Sequence, residues 1–168
     1  YDRNNFISFL IKYSTYLLMG FFKYLDKYSD FTDILLKDQR RFKHTDAFTQ
    51  NILRGPSPFS VGEREMMAAF VSGLNDCTYC FGINKATADK FGVETDVISA
   101  LLLDIDKAPI DEPLKPIFHY IKKLTYTPSL MEIKDAEKVY QAGWSEQALY
   151  DAICICALFN FYNRILDG

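Results

Sequence analysis

Cys77-Thr78-Tyr79-Cys80 is the stretch of this sequence with the clearest chemistry. Two thiols three residues apart sit on one turn of a helix, close enough to cycle between dithiol and disulfide. Asn75 and Asp76 precede them as good capping residues, so the pair falls at a helix N-terminus. The helix dipole favours a thiolate there, and the thiolate is the nucleophile. The same spacing is also half of a zinc site. A closed site would need two more ligands from Cys154, Cys156, His44 and His119. Cys154 and Cys156 stand at i, i+2 on a helix, facing different ways, and cannot easily clasp one ion. They read as small buried hydrophobes, the two histidines read as structural, and no metal or cofactor is expected.

Glu65 lies twelve positions before Cys77. If the two segments form antiparallel helices, Glu65 approaches the second helix from the facing side. A carboxylate near a thiol takes its proton when its environment raises the carboxylate pKa. Equally, Glu65 is a solvated first-turn carboxylate favoured by the dipole. Spacing leaves both readings open.

The elements that must position these residues are helices. Before Leu53 there is no proline and one glycine, Gly20, and two helices fit, joined near Ser29-Asp30. Arg54-Gly55-Pro56-Ser57-Pro58 is a hard break. Ser60 with Glu63 is a capping box, and Met66, Met67, Phe70, Val71 and Leu74 make the apolar face of the helix that follows. The next helix is expected to run from Cys77 to Gly92, and a short one over 97–103. Pro113 and Pro116 open a helix reaching about Tyr126, which Pro128 ends. Another spans 133–142, closed by Gly143, and Ser145 caps a last one reaching Leu166. Strand patterns and hairpin turns are lacking. The expected fold is all-α, one domain over 1–168.

With 168 residues the chain is large enough for one core, burying roughly 70% of its unfolded surface. A hydrophobic fraction of 49% excludes intrinsic disorder, and a pI of about 5.4 argues against a nucleic-acid partner. Residues 1–55 hold nine Lys and Arg against six Asp, the remainder ten against sixteen acidic residues, a mixed solvated surface. Residues 6–25 are long enough for a membrane span. Lys12 near the middle costs roughly 2.5–3.5 kcal/mol on insertion scales, and the stretch reads instead as an amphipathic helix apolar on two faces. The second face suits a partner subunit, so an oligomer is expected, with 1–29 at an interface. No signal peptide is supported, and the expected location is cytoplasmic.

The run Ser60-Val-Gly-Glu-Arg-Glu65, with Val71-Ser-Gly-Leu-Asn-Asp-Cys-Thr-Tyr-Cys80, resembles the carboxymuconolactone decarboxylase/AhpD-like superfamily. The chain more closely resembles its branch of peroxidase-related alkylhydroperoxidase-like proteins. Leu53-Arg-Gly-Pro-Ser-Pro58, Gly143-Trp-Ser145 and Leu158-Phe-Asn-Phe-Tyr-Asn-Arg-Ile-Leu-Asp-Gly168 fit that branch, and the resemblance covers roughly residues 30–168. It implies an all-helical homo-oligomer (dimer, trimer or hexamer) that reduces organic hydroperoxide or hydrogen peroxide with thiols. By that implication Cys80 attacks the peroxide, Cys77 resolves it to a disulfide, an external dithiol reduces the pair, and Glu65 accepts the thiol proton.

The resemblance is incomplete at two positions. The family usually places a histidine four residues after the second cysteine, where this chain has Asn84; in the AhpD type another lies between the cysteines, where it has Tyr79. Asn exchanges no proton near neutral pH, and Tyr is a poor base. A relay through Glu65 with water or Tyr79, weak activity, or entry of His119 or His44 from elsewhere all fit the sequence. Decarboxylases of the superfamily do not depend on a CxxC pair, which favours redox chemistry. The reading from another class is a non-catalytic oligomeric redox sensor. Asn160, Asn163 and Arg164 are polar in an otherwise apolar last helix; capping and inter-helix hydrogen bonding are the first reading for them, catalysis the second.

Overall fold

The structure, a computed structural model, describes residues 31–168. The expected helix over 1–29, its interface role and the apolar stretch 6–25 lie outside the described residues. Within them the fold is all-α: eight helices, two short 3-10 turns and no strand. No helix among the described residues is long and apolar enough to cross a membrane.

The elements in chain order are α1 (Phe31–Leu36), α2 (Gln39–Arg54), α3 (Val61–Leu74), α4 (Thr78–Lys90), α5 (Thr95–Leu103), α6 (Lys115–Tyr126), α7 (Ile133–Gln141) and α8 (Glu146–Asp167). The single helix expected over 30–53 is interrupted. Asp38 leaves helical geometry at φ −127°, ψ 81°, and its side chain accepts from the Arg41 amide, starting α2 afresh. A short acidic side chain at this point competes with the helix for backbone donors. The capping boundaries at Ser60 and Ser145 are as expected: Ser60 and Glu63 form a reciprocal box, and Ser145 accepts from Ala148. The helix expected over 97–103 begins earlier, at Thr95. Pro113 lies in a 3-10 turn (Glu112–Leu114), and Pro116 is in the first turn of α6.

α3 is the central element, in contact with α2, α4, α5, α6 and α8. Met67, Ala68, Ala69, Phe70 and Val71 are five consecutive residues with no exposed surface. A helix hidden on all sides must be apolar all round; Ala68 and Ala69 let neighbours approach, while Phe70 meets Phe118 edge-on at 5.1 Å.

α3 and α4 form an antiparallel hairpin, and glycines of α3 stand at its close approaches. A Cβ on Gly62 would lie 2.8 Å from the Phe91 carbonyl oxygen, and one on Gly73 would meet Leu102 of α5 at 2.5 Å and Phe81 of α4 at 3.2 Å. The start of α3 therefore touches the end of α4. Arg64, 3% exposed, donates to the carbonyls of Ile52 and Gly55, each at 2.8 Å, satisfying the broken end of α2. This arginine holds the Pro-rich break against α3, so α2 lies along the same hairpin.

Candidate active site

Cys77 and Cys80 come together at the start of α4. Cys77 is its N-cap, and Asn75 and Asp76 belong to the connector instead: Asn75 ends α3 and Asp76 takes a left-handed φ of 57°. The expectation that these two residues cap α4 is corrected. The reason is steric: with only a few residues between two packed helices, Asp76 must reverse the chain, and αL is a conformation that Asp tolerates. The thiols are free, and their sulfurs are 2.7 Å apart in a shared hydrogen bond. Disulfide formation needs an approach of only about 0.7 Å more. Leu166 of α8 packs on the pair, with Ile34 of α1 and Tyr79 around it.

The two sulfurs have different surroundings. Cys77 is 1% exposed and Cys80 6%. Cys80 forms part of the wall of a cavity of about 290 Å³ shared with Glu65, Tyr79 and Asn84. The hydrogen bond shared with Cys80 holds the Cys77 thiol below its ordinary range, against burial and the nearby Asp167 carboxylate. The same shared bond with Cys77, with burial adding, pushes Cys80 upward. One proton between two sulfurs leaves two possible monoanions, and of the two residues only Cys80 lines the cavity.

Glu65 is buried at 2% exposure and forms an ion pair with Arg54 at the end of α2. Of its two sequence readings, the solvated one is excluded. Burial pushes its carboxyl above the ordinary value, and the Arg54 guanidinium only partly offsets this. Arg54 also lies over the Phe91 ring at 5.2 Å. Sequence reasoning gave Arg54 only a place in the helix break; no local pattern ties it to a residue eleven positions on.

Asn84, 8% exposed, donates its amide to the carbonyl of Cys80 at 2.9 Å, one helical turn back. It thus braces the turn that carries Cys80. Neither histidine lines this cavity. His44 is exposed on α2, and His119 pairs with Asp106 at 2.8 Å on the α6 side of the molecule. Entry of either histidine from elsewhere in the described chain is excluded.

Cys154 and Cys156 are far from the pair in role: Cys156 is core, its thiol in contact with Thr125 at 3.3 Å and raised by burial. Among the described residues no group of three or more His, Cys, Asp or Glu could hold a metal ion. Residues missed from sequence line the rest of the cavity. The Thr49 and Tyr162 hydroxyls, 2.7 Å apart, bridge α2 and α8, and Phe159 and Leu166 supply apolar wall. The polar run Asn160-Phe-Tyr-Asn163-Arg164 was the only available sign that α8 faces polar partners.

This is an all-helical fold with a dithiol at the opening of a helix packed on its central one. Two solved structures have the same fold. One is an uncharacterized peroxidase-related protein from a Silicibacter species, with TM-score 0.72 and 24% identity over 77% of this chain and 68% of that one. The other is an alkylhydroperoxidase AhpD core, an uncharacterized peroxidase-related protein from Ralstonia eutropha, with TM-score 0.74 and 21% identity over 79% of this chain and 70% of that one. The chain therefore has the AhpD-core helical fold; at these identities the likeness is one of fold. No protein-family model and no curated protein matches the sequence.

Proposed function

We propose that this chain is a member of the peroxidase-related, AhpD-like group and a thiol-dependent hydroperoxide reductase that cycles through a Cys77–Cys80 disulfide. One observation carries the reading. Two free sulfurs lie 2.7 Å apart, and one of them opens on a cavity walled by a buried carboxyl, Glu65.

Glu65, whose raised pKa suits proton exchange, takes one proton from the dithiol by way of the cavity. The proton left to the pair passes from Cys80 to Cys77 across their 2.7 Å contact, and the Cys80 thiolate attacks the distal oxygen of the hydroperoxide. The O–O bond breaks, Cys80 becomes a sulfenic acid, and the departing alkoxide takes the Glu65 proton to leave as alcohol. Cys77 then attacks the Cys80 sulfur, an S–S bond forms, and water leaves with the Cys77 proton. An external dithiol returns the pair to the reduced state. Tyr79 stands at the cavity as a hydrogen-bond donor, and Asn84 positions the Cys80 turn. Leu35, Phe42, Leu53 and Ile83 make the rest of the wall largely apolar, which favours an organic hydroperoxide. Assembly of copies through helical faces belongs to the same proposal.

The test is consumption of an alkyl hydroperoxide with dithiothreitol as reductant. Wild type turns over, Cys80→Ser does not, and Glu65→Gln falls by roughly a hundredfold, the scale of a lost acid–base group. Absence of turnover, with loss of two hydrogens and a changed oligomer on oxidation, supports a redox sensor instead.

A further inference from the structure

Attack on a hydroperoxide leaves negative charge on the departing oxygen, and the cavity that Cys80 lines already holds two acidic side chains, Asp46 and Glu65. Most of its hydrogen-bond donors are committed. The Thr87 hydroxyl donates to the Ile83 carbonyl at 2.8 Å, and the Thr49 hydroxyl to the Thr45 carbonyl at 2.7 Å. With that proton engaged, the contact between Thr49 and Tyr162 is donated by Tyr162. Asn84 gives an amide hydrogen to the Cys80 carbonyl, and Tyr79 has a single hydroxyl hydrogen. Arg54 differs. Among the described residues that line the cavity it is the only cation. Of its five N–H hydrogens, one goes to the Leu53 carbonyl at 3.0 Å and one to Glu65, which leaves three. Its place is fixed from several sides. The Phe91 ring lies 5.2 Å from the guanidinium carbon, and Arg64 grips the carbonyls of Ile52 and Gly55, before and after it in the chain.

We propose that Arg54 is a further catalytic residue of the dithiol site, donating from its guanidinium to the peroxide oxygen that departs when Cys80 attacks the distal one. The Cys80 sulfur bonds to the distal oxygen, the O–O electron pair passes to the departing oxygen, and the guanidinium meets the charge that collects there. Glu65 is bonded to the same guanidinium, so the proton it has taken from the dithiol is beside the oxygen that must receive it. The two residues act in order. While Glu65 is ionised it balances the Arg54 charge; once it holds the dithiol proton, that charge is left for the oxyanion. Arg54 then binds the oxygen and Glu65 protonates it, and the product leaves as alcohol. The inference rests on the proposed reading of Cys80 as the attacking thiol.

The test varies the leaving group. Reduced wild type and Arg54→Met are mixed with tert-butyl hydroperoxide or with peracetic acid, and the Cys77–Cys80 disulfide is timed by mass, as the loss of two hydrogens. The first reagent expels a strongly basic alkoxide, the second expels acetate, which needs little help to depart. Arg54→Met reacts roughly a hundredfold more slowly with tert-butyl hydroperoxide, the scale of one lost oxyanion donor, and less than about tenfold more slowly with peracetic acid. A disturbed fold or a weakened thiolate slows both reagents alike. Arg54→Lys keeps a charge without the planar fork and shows the same selective loss, about tenfold. Should Arg54→Met not fold, Arg54→Lys decides. Folded variants that react as wild type does, or that slow equally with both reagents, overturn the inference and leave the proposed activity standing. Wild type that forms no disulfide with either reagent overturns the proposed activity, and this inference with it.

Discussion

Glu65 and Arg54 form an ion pair with one buried and one accessible partner: the glutamate side chain is 2% exposed and the arginine 37%. The asymmetry decides the sign of the glutamate's pKa. Burial strips water from the carboxylate, and a guanidinium that remains half in solvent does not restore what was lost.

The pair makes stability depend on pH. The folded-state pKa of Glu65 lies above its ordinary value of 4.5, so its contribution is fully present below that value and is lost as pH rises through the folded-state pKa. Denaturant titrations of wild type and Glu65→Gln between about pH 4 and pH 7 are expected to show wild type losing ground to the variant as pH climbs. A difference that stays flat, or grows in favour of wild type, contradicts the raised pKa.

Removing the resolving thiol should trap the attacking one. Cys77→Ser, given one equivalent of alkyl hydroperoxide, is expected to hold Cys80 as a sulfenic acid, seen as one added oxygen and captured by dimedone. Dimedone on a different residue, or none at all, contradicts the assignment of roles.

The α3–α4 hairpin predicts two glycine substitutions of different origin. Gly62→Ala places a methyl 2.8 Å from the Phe91 carbonyl oxygen and 3.1 Å from Val93, neither easily displaced. It should cost about 1–3 kcal/mol through overpacking. Gly92 has φ +89° with nothing within 4 Å of an added Cβ. Its alanine variant should cost about 1–2 kcal/mol through backbone strain alone. Urea unfolding measures both; a neutral Gly62→Ala would mean that the hairpin is looser than the structure has it.

Phe70 tests the core at the centre of α3. It has no exposed surface and stacks edge-on with Phe118. Phe70→Ala should lose about 3–5 kcal/mol, transfer and cavity contributions together. A loss under about 1 kcal/mol would place Phe70 outside a close-packed interior.

Much of the frame was legible in the sequence because it depends on neighbours a few residues apart. The Ser60–Glu63 box, the Ser145 cap and the turn that brings Cys77 beside Cys80 are i, i+3 relationships, set by helical geometry alone. The helix break at Asp38 and the left-handed turn at Asp76 were not legible. Both residues suit a cap, a turn or an exposed helix position, and the packing of the flanking helices chose among these.

The sequence by itself determined the all-helical class, the central apolar helix and the adjacency of the two thiols. Only the tertiary structure decided that Cys80 and not Cys77 lines the cavity, and that Glu65 is buried against Arg54. The physical reason is range. Hydrogen-bond periodicity and capping act within a turn or two, whereas burial, dielectric and the direction of a buried amide depend on which helices pack together across the chain.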